Sequence, residues 1–143
     1  MERIVIDASV ATKWFIPERN SDRALRLRGL CLDGTLEIMA PTLIYYEVAN
    51  ALRFHPYHRL SEVELLKAIT ALKNMQIAVE PAVKTWSKAF EISIINDISI
   101  YDAIYLATSL SFGAKLITSD REMFRRLSNS MRDNVSLLEE LDF

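Results

Sequence analysis

Four acidic residues stand where a lone carboxylate is hard to accommodate. Glu47 is the only acid between Glu37 and Glu62, and it sits among Leu43, Ile44, Tyr45, Tyr46, Val48 and Ala49. Asp102 keeps similar company, with Ile98, Ile100, Tyr101, Ala103, Ile104, Tyr105 and Leu106 around it. A carboxylate in such a segment is costly to desolvate unless it faces water, a cation or a hydrogen-bond donor. Asp7 and Asp120 instead follow short apolar runs, Ile4-Val-Ile6 and Leu116-Ile-Thr118. Single explanations exist for three of them: Asp7 could cap a helix starting at Ala8, Asp120 one starting at Arg121, and Asp102 could complete a capping box with Ser99. Two lone acids in apolar helices, plus two at strand ends, nevertheless suggest one shared pocket. Carboxylates gathered in this way repel and need a counter-charge. Hard oxygen ligands suit Mg²⁺ or Mn²⁺, which keep several waters and bind through a few carboxylates plus substrate phosphate. The natural chemistry is phosphodiester hydrolysis, in which a cation helps generate hydroxide and stabilises the phosphate and leaving oxygen, and paired ions stand ~3.5–4 Å apart.

Other chemistries are poorly represented. His55 and His58 flank Pro56 in a loop, with no cysteine pair or nearby acid to complete a zinc set, and read as surface residues. There is no glycine-rich phosphate loop and no Gly-x-Ser-x-Gly elbow. Asp7-Ala8-Ser9 lacks the second acid of an Asp-x-Asp phosphatase motif and the acid pair of a phosphorylated receiver. The one cysteine, Cys31, is expected to be a buried small hydrophobe on a helix, so no oxidising compartment is needed.

The elements that must position the acids follow from periodicity. Arg3-Ile-Val-Ile-Asp7 predicts a buried strand, and Ala8 to Phe15 a helix closed by Pro17. Ser21 to Asp33 has helical spacing with Gly34 as its stop, and Leu36 to Ala40 is a second strand. Thr42 to Phe54 predicts a helix with Ile44, Val48, Ala51 and Leu52 on one stripe. Ser61 and Glu64 make a capping box for a helix to about Asn74. Ile77 to Val79 is a weak strand, Pro81 opens a helix to about Ile95, and Ser99 caps another through Phe112. Lys115 to Thr118 is a fourth strand, a short helix follows from Ser119 or Asp120, and Val135 to Leu138 is a last strand. Strands alternating with helices mean an α/β fold, a parallel sheet covered on both faces. In such sheets the functional crevice lies at the carboxyl ends of the strands, where Asp7 and Asp120 fall.

Half of the 143 residues are apolar and Gly and Pro number 3 and 4, which fits one domain over residues 1–143 without linkers. No stretch reads as a signal peptide or membrane span, so a soluble cytoplasmic protein is expected. The net charge of −2 argues against a basic coat for nonspecific nucleic-acid binding, though two bound divalent cations would bring it to about +2. Arg19, Arg23, Arg26 and Arg28 form one basic group, and Arg121, Arg125 and Arg126 another; both read best as solvated helix faces.

Four segments together resemble the PIN-domain ribonucleases, and among them the VapC-type toxins of prokaryotic toxin–antitoxin pairs. They are Val5-Ile-Asp-Ala-Ser-Val10, Tyr46-Glu-Val-Ala-Asn-Ala-Leu52, Ile100-Tyr-Asp-Ala-Ile-Tyr-Leu-Ala107 and Leu116-Ile-Thr-Ser-Asp120, and they span nearly the whole chain. The resemblance implies a PIN-like three-layer α/β/α sandwich around about five parallel strands. It implies Mg²⁺- or Mn²⁺-dependent cleavage of RNA, with Asp7, Glu47, Asp102 and Asp120 as the metal-binding acids. Ser9 and Thr118 match places where a hydroxyl supports the metal site, although such residues also serve as helix caps. Asn50 and Arg53 could orient Glu47, meet phosphate or simply bond along their helix, and Asp97 could be a fifth pocket acid or a solvated loop residue. The resemblance also implies a homodimer and a small antitoxin protein, with Trp14, Phe15, Tyr45, Tyr46 and Trp86 as candidate anchors or core residues. Two alternatives remain at this point: a housekeeping PIN nuclease in RNA processing, and a non-catalytic scaffold of the same fold.

Overall fold

In the computed structural model, which describes residues 1–143, the first strand lies at the centre of everything else. That strand, β1 (Glu2–Ile6), pairs in parallel with β2 (Leu36–Pro41) on one side and β4 (Lys115–Thr118) on the other. Outside these lie β3 (Ala78–Val79) and β5 (Val135–Leu137), giving the order β3-β2-β1-β4-β5 with every pairing parallel. Val5 and Ile6 are fully buried, as a strand covered on both faces requires.

The chain leaves β1 in one direction, to β2 and β3, and then returns past β1 to β4 and β5. The strand order therefore reverses between β1 and β4, and at that switch point the loops beyond the strands diverge and open a crevice. Right-handed crossovers put the helices before β3 on one face and those after it on the other. The first group is α1 (Ala8–Ala11), α2 (Ser21–Leu32), α3 (Leu43–Arg53) and α4 (Glu62–Asn74). The second is α5 (Val83–Asn96), α6 (Ile100–Ser111), α7 (Arg121–Arg126) and α8 (Asn129–Arg132). The result is a three-layer α/β/α sandwich, as the resemblance implied.

Local chemistry sets the element ends. Ser61 and Glu64 complete a reciprocal capping box at α4, with bonds of 3.0 and 3.2 Å. Gly113, at φ +61°, ends α6 and turns the chain into β4 in a conformation that a side chain would strain. The helix expected over Ala8–Phe15 is broken: α1 stops at Ala11 and a 3-10 turn covers Thr12–Trp14, whose Trp14 indole donates to Ala24 O at 2.8 Å. Cys31 is only partly buried, because α2 has an unusually narrow apolar face with Ala24 and Leu27 as its buried residues. The arginine groups are more engaged than solvated faces would be. Arg23 donates to the carbonyls of Leu138 and Leu141, and Arg121 pairs with Glu139.

Helix α6 runs under the sheet and buries Ala103 through Ser109 almost entirely. Leu106 is fully buried at its middle. We expect Leu106→Ala to lower the unfolding free energy by about 2–5 kcal/mol, measured by urea denaturation.

Candidate active site

The crevice at the switch point is a cavity of about 830 Å³ whose wall includes Asp7, Glu47, Asp102 and Asp120. Each acid arrives from a different element. Asp7 caps α1 beyond β1, Glu47 projects from α3, Asp102 from the first turn of α6, and Asp120 caps α7 beyond β4. The two helical acids come from opposite layers and meet over the edge of the sheet.

Asp7 is the most tightly held. Its Oδ1 accepts from Ser9 N at 3.0 Å and from the Ser9 hydroxyl, and its Oδ2 accepts from the Thr118 hydroxyl. Each hydroxyl in turn accepts a backbone amide from the loop after β4: Ser119 N to Ser9 Oγ at 2.8 Å, and Asp120 N to Thr118 Oγ1 at 3.0 Å. Ser9 and Thr118 thus link two amides of one loop to the two oxygens of one carboxylate.

Asp120 accepts from Met123 N at 2.9 Å, so it does cap its helix, and it lines the cavity as well. Asp102 is where the two explanations separate. Ser99 Oγ accepts from Asp102 N at 3.1 Å, but the return bond that makes a capping box at Ser61 and Glu64 is not formed. The Asp102 carboxylate faces the cavity instead. Asn50 also lines it, from an exposed position on α3.

The electrostatics reflect four like charges in one place. Burial pushes the Asp7 carboxyl up to about 6, against the hydrogen bonds from Ser9 and Thr118 and with help from the charge of Asp102. Burial also raises Glu47, opposed by the nearby Tyr105 phenol and reinforced by Asp102. Asp102 is raised by burial and then by the charge of Asp120, with Ser99 and Arg126 opposing. Ionised, the group has only Arg126, acting on Asp102, as an opposing charge among the causes of these shifts. No three of the acidic, histidine or cysteine side chains stand in ready-made ligand geometry. The capping bonds of Asp7 and Asp120 fix those two carboxylates in the cavity wall.

The other candidates divide. Asp97 is exposed at the end of α5 in a left-handed turn, away from the cavity, and Arg53 lies over the Phe54 ring outside it. The expectation that both histidines are surface residues fails for His55. Its Nδ1 accepts from Tyr57 N and His58 N at 3.2 and 3.1 Å, its Nε2 meets Glu18 Oε2 at 2.8 Å, and its side chain is only 8% exposed. Lys13 reaches the same Glu18 at 3.6 Å. His55, His58, Lys13 and Arg19 add basic groups to the same cavity lining, and of all the grouped arginines only Arg19 belongs to it. Periodicity gave no sign of this grouping, because Glu18 and His55 are far apart in the chain. Tyr105 was also missed, since a tyrosine in an apolar helix reads as core. It is buried, yet it belongs to the cavity wall.

This fold and this acidic crevice define a class. The profile of the PIN domain family matches residues 4–129, and the chain belongs to that family. Among curated proteins it is similar to Ribonuclease VapC3 of Pyrobaculum aerophilum, at 30% identity over 129 residues, covering 85% of this chain and 92% of that one. That likeness places it with the VapC-type members. Among solved structures, the crystal structure of PAE2754 from Pyrobaculum aerophilum has the same fold, with a TM-score of 0.64 at 20% identity over 97% of this chain and 90% of that one.

The raised carboxyl of Asp7 has a consequence for stability. Its folded-state value lies above its value of 3.8 in the unfolded chain, so between these pH values the folded state binds more proton. Metal-free protein should therefore lose stability as the pH rises from about 4 to 6, by on the order of 2–3 kcal/mol for this group. Chemical denaturation across that range should show the decline, and Asp7→Asn should flatten it and unfold later than wild type at pH 7.

Proposed function

We propose that the protein is an Mg²⁺- or Mn²⁺-dependent endoribonuclease that hydrolyses RNA phosphodiester bonds and serves as the toxin of a toxin–antitoxin pair. The observation that carries this is the convergence of Asp7, Glu47, Asp102 and Asp120, from four elements, on one crevice at the strand ends. The donor set fits a hard divalent cation: carboxylates only, partly desolvated, with no thiolate or imidazole among them. Such a cation would be held by these four acids and would supply Lewis-acid charge and a more acidic water for attack on phosphorus.

The chain's own part is positioning. The two hydroxyls on Asp7 keep it ionised more readily than burial alone would allow, and fix both its oxygens against the loop after β4. Asp120, capped onto α7, moves with that loop. Lys13, Arg19 and His58 in the same cavity lining would present cationic or hydrogen-bonding groups to the flanking phosphates of a nucleic-acid strand. No helix here is long and apolar enough to cross a membrane, and the expected setting is the cytoplasm.

The toxin role draws on the likeness to a VapC ribonuclease over most of both chains. It also fits an apolar patch outside the acidic cavity, on the same two helices that carry Glu47 and Asp102. Tyr46 (76% exposed), Tyr101 and Trp86 border a groove with Tyr45, Ile100 and Leu43 that suits a second copy or a small antitoxin. Trp14 is committed to the core and Phe15 packs against it, so neither serves as an anchor.

Asn caps a helix as well as Asp does, so Asp120→Asn should keep the fold within about 0.5 kcal/mol while removing a metal-site charge. RNA cleavage by the purified protein should need added Mg²⁺ or Mn²⁺, stop with EDTA, and fall roughly a hundredfold or more in that variant. Cleavage that survives both treatments refutes the metal-centre reading. For the toxin role, growth should arrest when the protein is expressed alone and recover with its small neighbouring-gene product. Harmless expression of active enzyme favours the housekeeping reading.

A further inference from the structure

Three buried side-chain oxygens in this chain have no hydrogen-bond partner: Thr12 Oγ1, Tyr105 Oη and Ser119 Oγ. All three residues line the acidic cavity. Folded proteins leave few such atoms, because each has given up water for nothing. Their collection in one wall points to hydrogen bonds that the resting chain does not complete.

Tyr105 carries this furthest. It follows Asp102 by three residues on α6, which puts the two on adjoining turns of one face. The residue is 2% exposed, and a phenylalanine would fill the same space without an orphaned oxygen. The carboxylate whose charge acts on it most strongly is Glu47, ahead of Asp7 and Asp102, although no hydrogen bond of proper geometry joins them. A tyrosine hydroxyl keeps its proton at neutral pH, so it can donate to a carboxylate. From the other side, Tyr105 is the one hydrogen-bonding group that bears on Glu47. Asp7 and Asp120 are fixed by capping bonds and hydroxyls. Glu47, from the opposite layer, has no such support.

We propose that Tyr105 is a positioning residue for Glu47: its hydroxyl donates to one carboxylate oxygen and turns the other toward the cavity, where a divalent cation binds. This rests on the metal-dependent reading above. A bond to Glu47 would give the orphaned hydroxyl the partner it lacks. Outer-shell partners of metal-binding groups typically change affinity 10–100-fold.

The test compares wild type with Tyr105→Phe in the full-length protein by two measurements, Mn²⁺ titration calorimetry and thermal unfolding without metal. The variant should bind Mn²⁺ about 10–100-fold more weakly. Its metal-free Tm should be unchanged or higher, because the lost oxygen had no partner. A purely structural tyrosine would give the opposite pair, unaltered Mn²⁺ binding and a lower Tm, and either of those results overturns the proposal. Wild type that binds Mn²⁺ while Tyr105→Phe binds it equally overturns this inference alone. Wild type that binds no Mn²⁺ overturns the metal-centre reading with it.

Discussion

The Asp7 carboxylate is the point on which the rest of the site depends. It ends the central strand, and through Ser9 and Thr118 both its oxygens are tied to amides of the loop after β4. Parallel strands that diverge at a switch point have no ladder bonds left to hold their ends together. Here two hydroxyl-mediated links do so, across a gap of more than a hundred residues in sequence. The clamp fixes the distance between the Asp7 and Asp120 sides of the crevice and leaves the helical acids to close it from above.

That arrangement trades stability for function. Three of the four acids have carboxyl groups held above their ordinary range, chiefly by burial, and they add to one another's charge. A chain selected for stability alone would place apolar or singly paired residues there. A divalent cation bound there would remove the conflict, because it would replace mutual repulsion with shared attraction. The basic group around His55 and Glu18 is the complementary half of the design. Lys13 and His55 are held by Glu18 and not by the four metal-site acids, so this basic group and the acids share the cavity wall without neutralising one another.

The two helical layers contribute unequally. Helix α6 is buried along nearly its whole length, and so it is a rigid base for Asp102. Helix α3 buries only Ile44, Val48 and Leu52 on one stripe, and Glu47 stands beside that stripe with little to hold it. Glu47 accepts no hydrogen bond from its own layer, which is why the unpartnered phenol of Tyr105 on α6, in the same cavity wall, matters.

Much of this was written in the sequence. Continuous apolar runs located all five strands and period-3.6 patterns most helices, since burial on both faces leaves an unbroken apolar run and burial on one leaves a stripe. Glu47 and Asp102 were conspicuous because an acid in an apolar helix has no inexpensive local excuse. What could not be read was any relation between distant segments. Whether Asp102 caps its own helix or faces a pocket depends on a return bond to Ser99, which local spacing permits and the tertiary structure does not form. Ser9 and Thr118 could have been supports of the site or ordinary caps until the strand order brought them to the same carboxylate. His55 looked like a loop residue until Glu18 came within 2.8 Å of it. The sequence by itself determined which residues are acidic, apolar or turn-forming, and hence the elements. Only the tertiary structure decided that four of those acids share one cavity, because hydrogen bonds and charge repulsion act through space and not along the chain.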